Sequence, residues 1–168
     1  MEELNTTWES MLEDAIRRAE VSGRTDVAEY LRLKASNDLV RKKATDWLRD
    51  AFIEAAMERS RSQPSIKVER EDTFSFARGT GTMDGDRLLI TFGVRCLEVR
   101  TGWPQRPQSG IMRGNALAAA DIVHFGLSRS NQYLSLIAAG PTPRWVSEGG
   151  EEFGLKSVAA HLSILTDG

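Results

Sequence analysis

Residues 86–115 read DRLLITFGVRCLEVRTGWPQRPQSGIMRGN, and the predicted fold is built outward from this stretch. Its first part, LLITFGVRCLEV at 88–99, is rich in β-branched and aromatic residues and follows the turn-like sequence MDGD. We predict one continuous strand there. Because side chains alternate along a strand, its wholly apolar face would carry Leu88, Ile90, Phe92, Val94 and Cys96. Gly93 in mid-strand indicates a bend or a close backbone contact.

The loop that follows, at 102–115, has no helical or strand periodicity and is long for a connection inside a compact domain. Such loops are usually functional, and burial of Trp103 would hold this one against the body of the protein. Guanidinium groups match the geometry of carboxylates and phosphates. We therefore predict ligand or partner binding by Arg95, Trp103, Arg106 and Arg113. The alternative is a solvated surface whose arginines pair with neighbouring carboxylates.

The N-terminal third has the pattern of two or three amphipathic helices. Thr6 and Glu9 have the spacing of a capping box, and a first helix is predicted at about 7–21, ended by Gly23. A short second helix follows from Thr25. The tetrapeptide ASND at 35–38 is predicted to interrupt it before a long third helix that ends before Pro64.

The remainder of the chain is predicted to form strands closed by a helix. Residues 65–82 fit one or two strands. Residues 115–127 fit either a helix, with Asp121 and His124 on one face, or a strand that separates them. A hairpin signal at SRSN favours a strand from about Ala118. A short strand at 144–146 and a C-terminal helix complete the prediction.

These elements predict an α+β fold: two to three N-terminal helices packed on a curved, mainly antiparallel sheet that a C-terminal helix closes. We expect a single domain over 1–168, with a helical part at 1–62 and a β-rich part at 65–168 that includes the C-terminal helix. The length of 168 residues is sufficient for one hydrophobic core.

The composition argues against several functional classes. A net charge of −2 gives no field that favours nucleic acid or an anionic membrane. The acidic N-terminus is unlike a signal peptide, and no apolar run is long enough to span a bilayer. We therefore expect a cytoplasmic protein of bacterial type without membrane association. Basic residues at 32–43 still motivate a nucleic-acid hypothesis, against which the acidic balance argues.

The residues that could carry chemistry are few. Two histidines and one cysteine exclude the common zinc sites, and no nucleophile motif occurs, so we predict no metal and no cofactor. The leading hypothesis is a non-enzymatic binding module for a protein or an acidic small ligand, using the 102–115 loop with His124 beside it. The second is a small enzyme on an anionic substrate with His124 as acid/base. Nucleic-acid binding through 32–43 is the third, and a homo-oligomer is left open.

Overall fold

The computed structural model describes residues 2–112, 114–138, 140 and 142–167, with side chains from Glu9 onward. These residues form three α-helices and one antiparallel sheet of six strands, which confirms the predicted α+β class. The strands pair in chain order as a meander. The elements are α1 Glu2–Val21, α2 Thr25–Ser60, β1 Ile66–Arg78, β2 Gly81–Phe92, β3 Arg95–Trp103, β4 Ala116–His124, β5 Gln132–Ile137, β6 Arg144–Ser147 and α3 Leu155–Asp167.

The chain divides into two compact units, Met1–Lys42 and Lys43–Gly168. The first contains α1 and the beginning of α2, and the second contains the rest of α2, the sheet and α3. The boundary between these units falls inside α2, and the expected division into a helical part at 1–62 and a β-rich part at 65–168 stays a prediction. The expectation of a single domain over 1–168 stays a prediction.

The end of α1 is the predicted one. The amide of Arg24 donates to the carbonyl of Ala19 at 2.8 Å, and the amide of Gly23 donates to the carbonyl of Glu20 at 3.1 Å. Gly23 has a φ of 77°, so this is a Schellman cap, which needs a left-handed residue at that position. The beginning of α1 lies earlier than predicted, at Glu2.

The predicted break at 35–38 is wrong, because α2 is continuous through it. The carboxylate of Asp38 accepts from Arg41 Nη1 at 2.8 Å, one helical turn later, instead of capping a new helix. Ser, Asn and Asp each cost only a few tenths of a kcal/mol inside a helix, and propagation of an existing helix is favourable.

The predicted strand at 88–99 is two strands joined by a tight turn. Gly93 has a φ of 62° and forms a two-residue turn with Val94, so that Phe92 pairs with Arg95 and Thr91 with Cys96. Because of this turn, each residue from 95 to 99 lies on the face of the sheet opposite to the predicted one. Leu97 and Val99 therefore lie on the core face with Leu88 and Ile90. The placement of Val94 and Cys96 on that face is wrong, because Val94 is exposed in the turn and Cys96 lies on the opposite face.

The MDGD sequence is also not a turn, because it lies within β2. The β1–β2 turn occurs earlier, at Gly79, whose φ is 60°. Gly85 pairs with Gly102 on β3, and a Cβ atom at position 85 would lie 1.8 Å from the carbonyl oxygen of Thr101. Glycine is therefore required here for close approach of two strands.

One face of the sheet forms the main core. Its buried side chains, from β2 to β5, are Leu88, Ile90, Leu97, Val99, Ile122, Leu134 and Leu136. The 43–60 part of α2 and the C-terminal α3 cover this face. Phe52 of α2 is fully buried and stacks on Phe153 at 6.2 Å, and Trp145 Nε1 of β6 donates to the carbonyl of Ala44 at 3.1 Å.

The remaining elements agree with the sequence. Residues 116–124 form β4, which confirms the strand alternative, and β5 and β6 follow the hairpin at 128–131. α3 is the predicted C-terminal helix.

The face of the sheet opposite the main core carries a small apolar cluster of Phe76, Met83 and Ala119, with Phe74 and Met112 against it.

Candidate functional site

The loop after β3 is held against the sheet by Asp84. Its carboxylate accepts hydrogen bonds from the Gln105 amide at 3.0 Å, from Ser109 Oγ at 2.7 Å and from Arg106 Nη2 at 2.6 Å. Trp103 is the last residue of β3, pairs with Asp84 in register and is half-buried. Arg106 therefore pairs with a carboxylate of its own chain, as the alternative interpretation of the loop expected.

The hydrogen bonds at Asp84 outweigh the cost of its burial. Burial alone would raise the pKa of this carboxyl. The Gln105 amide, the Arg106 guanidinium and the Ser109 hydroxyl instead lower the pKa of Asp84 to about 2. Asp84 is consequently ionised across the physiological range and keeps the loop closed.

The four predicted site residues that the structure describes do not lie together. Arg95 begins β3 and donates from Nη1 to the Leu165 carbonyl at 3.2 Å, at the C-terminal end of α3. Trp103 ends the same strand, eight residues later and roughly 26 Å away at the rise of an extended chain. His124 pairs in register with Leu97, near the Arg95 end. Arg113 lies outside the described residues, and ligand binding by any of the five stays a prediction.

His124 belongs to a buried imidazole pair. His124 Nε2 lies 2.8 Å from His161 Nδ1, and His161 Nε2 lies 2.6 Å from Gln132 Oε1. Both rings are only 4% exposed, and Phe52 and Phe153 lie beside His161. The hydrogen bonds are satisfied when both rings are neutral, His124 donating to His161 and His161 to Gln132.

Protonation of either ring is unfavourable. Burial lowers the pKa of His124, and burial together with repulsion from His124 lowers the pKa of His161 to about 4. The enzyme hypothesis required His124 and the loop arginines to converge on one pocket. His124 is instead enclosed beneath α3, away from Arg106.

The face of the sheet opposite the helices carries a charged network that the sequence analysis missed. Glu98 is fully buried there and binds Arg100 through two hydrogen bonds, of 2.8 and 3.1 Å. Arg87 lies 3.4 Å from the same carboxylate, and its guanidinium stacks over the Phe74 ring at 4.5 Å. The alternation of side chains along β2 and β3 predicts that these residues share a face only if the turn between the two strands is placed correctly.

Curvature of the sheet brings Arg78 of β1 to the same charged face. Arg78, at the end of β1, donates to the Ala120 carbonyl of β4 at 3.1 Å and forms an ion pair with Asp121, although β2 and β3 lie between these strands. Its guanidinium also lies 5.7 Å from the centre of the Tyr133 ring. Arg78, Arg87 and Arg100 each face a carboxylate, so the network supports the curved sheet rather than forming an open anion site.

No protein-family model, curated protein or solved structure matches the chain. Within the part of the chain that the structure describes, no helix is long and apolar enough to cross a membrane. The same residues contain no cluster of three or more His, Cys, Asp or Glu placed to hold a metal ion.

The unit Met1–Lys42 exposes large apolar side chains. Among its residues 9–42, only Ala19 and Ala28 are buried. Tyr30 is 65% exposed and Leu33 is 61% exposed on α2. Together with the half-buried Asn37 and Val40 they define an outward stripe, because spacings of three, four and three residues place them on one side of the helix.

The outward stripe lies opposite the more buried side of α2 in the first unit. At 100° per residue, Ala28, Leu31 and Ala35 point away from the stripe, and they are buried or half-buried. Leu39 is 50% exposed and lies on this opposite side, about 140° from the centre of the stripe. The spacing of these residues can be read in the sequence, but the predicted break at 35–38 placed them in two separate helices.

The basic residues at 32–43 are partly engaged within the chain. Arg32 forms an ion pair with Glu20 of α1, and Arg41 forms one with Asp38. Lys34, Lys42 and Lys43 are exposed. Nucleic-acid binding by this segment stays a prediction.

Proposed function

We propose that this chain is a non-enzymatic protein–protein interaction module and that the outward stripe of α2 is its contact surface. The observation that carries this proposal is that α2 exposes Tyr30 and Leu33 on the side opposite Ala28, Leu31 and Ala35, which are buried or half-buried. A helix with a second apolar side is typical of an element that packs against a further partner.

Burial of the outward stripe against a partner protein would stabilise the complex. Full burial of a side chain of the size of Leu33 stabilises a complex by about 1.5–3 kcal/mol relative to exposure. Tyr30 adds a large aromatic surface with a polar hydroxyl, the kind of residue enriched at interface centres. Helix recognition in apolar grooves uses side chains at this same spacing.

The 102–115 loop is a second candidate surface. Ile111 is 84% exposed there, so an apolar contact is available beside the anchored part of the loop. An acidic ligand at Arg106 would have to compete with Asp84, which already binds that guanidinium. The loop therefore fits a protein contact better than an anion site.

Affinity capture with matched variants tests the proposed function. Leu33→Glu places a charge in the stripe and is expected to abolish capture of binding partners from a lysate, because a buried unpaired charge opposes the contact. Leu39→Glu adds the same charge to the same helix outside the stripe and should retain capture. Both exposed substitutions should change the free energy of unfolding by less than about 0.5 kcal/mol. Equal partner sets for the two variants would contradict the proposal.

A further inference from the structure

We propose that the buried pair of His124 and His161 is an acid-sensitive latch, which holds α3 on the sheet at neutral pH and releases it when the pair takes up a second proton. The two rings belong to different elements, His124 to β4 and His161 to α3. Their contact therefore acts directly on the attachment of α3. Both residues lie in the second unit, so the proposal is independent of the outward stripe of α2.

The neutral pair forms a chain of two hydrogen bonds. His124 Nε2 lies 2.8 Å from His161 Nδ1 and donates to it, and His161 Nε2 donates to Gln132 Oε1 at 2.6 Å. The ring centres are 5.0 Å apart. A first proton can be added at His124 Nδ1 without changing this chain, because that nitrogen lies outside it.

A second proton does not fit this geometry. With both rings protonated, all four ring nitrogens carry a hydrogen and none of them accepts a hydrogen bond. Two N–H groups would then face one another across 2.8 Å, between two rings that are each only 4% exposed. No exchange of tautomers relieves this contact, and the two positive charges repel each other at low dielectric. The doubly protonated pair therefore requires the rings of His124 and His161 to separate.

The surroundings of the pair contain no compensating negative charge within the described part of the chain. Phe52 of α2 and Phe153 lie beside the His161 ring. The polar neighbours, Gln132 and Asn131, are neutral amides, and Asn131 Oδ1 accepts from the backbone amide of His124 at 2.8 Å. A second positive charge on the pair consequently gains no ion pair that would offset its burial.

The charged side chains that bind α3 from other elements are cations among the described residues. Arg59 of α2 donates to Ser163 Oγ at 2.6 Å and lies 3.4 Å from Asp167 at the end of α3. Arg95 of β3 donates to the Leu165 carbonyl at 3.2 Å. Both guanidinium groups stay charged throughout the acidic range, so they do not respond to pH themselves. The histidine pair is the titrating contact of α3.

α3 is the element that separates from the other. β4 is hydrogen-bonded on both sides, to β3 and to β5, whereas α3 follows the last strand and is held by side-chain contacts. Its buried apolar side chains are Val158, Leu162 and Leu165. An isolated helix of 13 residues is marginal in water, so released α3 should unfold locally while the strands remain paired. Acidification would thus expose apolar surface that α3 covers at neutral pH.

Hydrogen exchange of α3 amides at pH 7 and pH 4.5 measures this release. His161 has a pKa of about 4 in the closed state, against 6.5 when its ring is unperturbed. The open state therefore binds more protons below pH 6.5, and the ratio of open to closed α3 should rise roughly 50-fold between the two pH values. The expected result is a loss of amide protection of this size in α3, after correction for the intrinsic exchange rate at each pH.

The amides of β2 and β3 distinguish local release from unfolding of the whole unit. They should remain more protected than the α3 amides at both pH values, because the sheet stays paired when α3 leaves. Equal protection of α3 and these strands at both pH values would overturn the proposal. This comparison uses the wild-type chain and does not depend on a variant that folds.

Two variants test whether the histidine pair is the pH sensor. The double variant His124→Gln/His161→Gln keeps neutral hydrogen-bonding groups but cannot titrate, so α3 protection should change less than about 3-fold between pH 7 and pH 4.5. Arg59→Gln is the control, which should weaken α3 at both pH values and keep the roughly 50-fold ratio between them. A ratio retained in the double variant, or lost equally in Arg59→Gln, would overturn the proposal.

Discussion

Replacement of Gly85 by alanine is expected to lower the free energy of unfolding by about 4 kcal/mol or more, or to prevent folding. The added Cβ would lie 1.8 Å from the Thr101 carbonyl oxygen and 2.7 Å from Gly102 Cα. Both are backbone atoms of a paired strand, so no side-chain rotation can relieve the clash. The strands would have to separate and lose ladder hydrogen bonds between β2 and β3. Urea unfolding followed by circular dichroism measures the loss.

Gly149→Ala is the matched control for this substitution. The nearest non-neighbouring heavy atom to a Cβ at position 149 is Ser147 Oγ at 3.9 Å, so the change should stay within about 0.5 kcal/mol. If MDGD were a surface turn, Gly85→Ala would cost no more than the control. Equal stability of the two variants would therefore contradict the pairing of Gly85 with Gly102.

Acidification from pH 7 to pH 4.5 is expected to destabilise the protein by about 2–3 kcal/mol through His161 alone. The pKa of His161 is about 4 in the folded protein and 6.5 in its unperturbed state. The unfolded chain therefore binds more protons below pH 6.5. The stabilising contribution is fully present above pH 6.5 and is lost progressively as the pH falls toward about 4. His124, whose pKa is also lowered, acts in the same direction.

Urea unfolding at pH 7 and pH 4.5 tests this prediction when the wild type is compared with His161→Gln. Glutamine keeps a neutral hydrogen-bonding group but does not titrate, so the decrease in stability between the two pH values should be smaller by about 2 kcal/mol. Asp84 does not contribute to the difference, because its stabilisation is lost only between pH 3.8 and about 2. The same pH dependence in both proteins would contradict a buried neutral pair.

The sequence predicted those elements whose local pattern agrees with their tertiary surroundings. The alternation of residues 118–124 and the turn signal at SRSN correctly favoured a strand for β4, and Gly23 correctly ended α1. The failures occurred where a local signal had two physical meanings. Gly85 is required for strand approach rather than for a turn, and the ASND residues are accommodated within a helix that is already propagating.

The candidate site was harder to predict because it depends on registers and curvature. Gly93 lacks the usual Asn-Gly or Asp-Gly turn signature, and the missed turn reversed the alternation of every later residue in β3. Glu98 and its arginines could not be recognised as one network without that register. The contact of Arg78 with Asp121 depends on sheet curvature, which single-strand patterns do not contain. The pairing of Arg106 with Asp84 was foreseen only as a general alternative.

Site-specific photo-crosslinking tests the central claim, that the outward stripe of α2 is the binding surface. A benzophenone amino acid would replace Leu33 in the stripe, Leu39 outside it, or Ile111 in the loop after β3, in cells that express the protein. All three positions are at least 50% exposed, so accessibility alone does not separate them. The account predicts strong protein adducts from position 33 and few from position 39. Adducts from position 111 with none from position 33 would contradict it and assign binding to the loop.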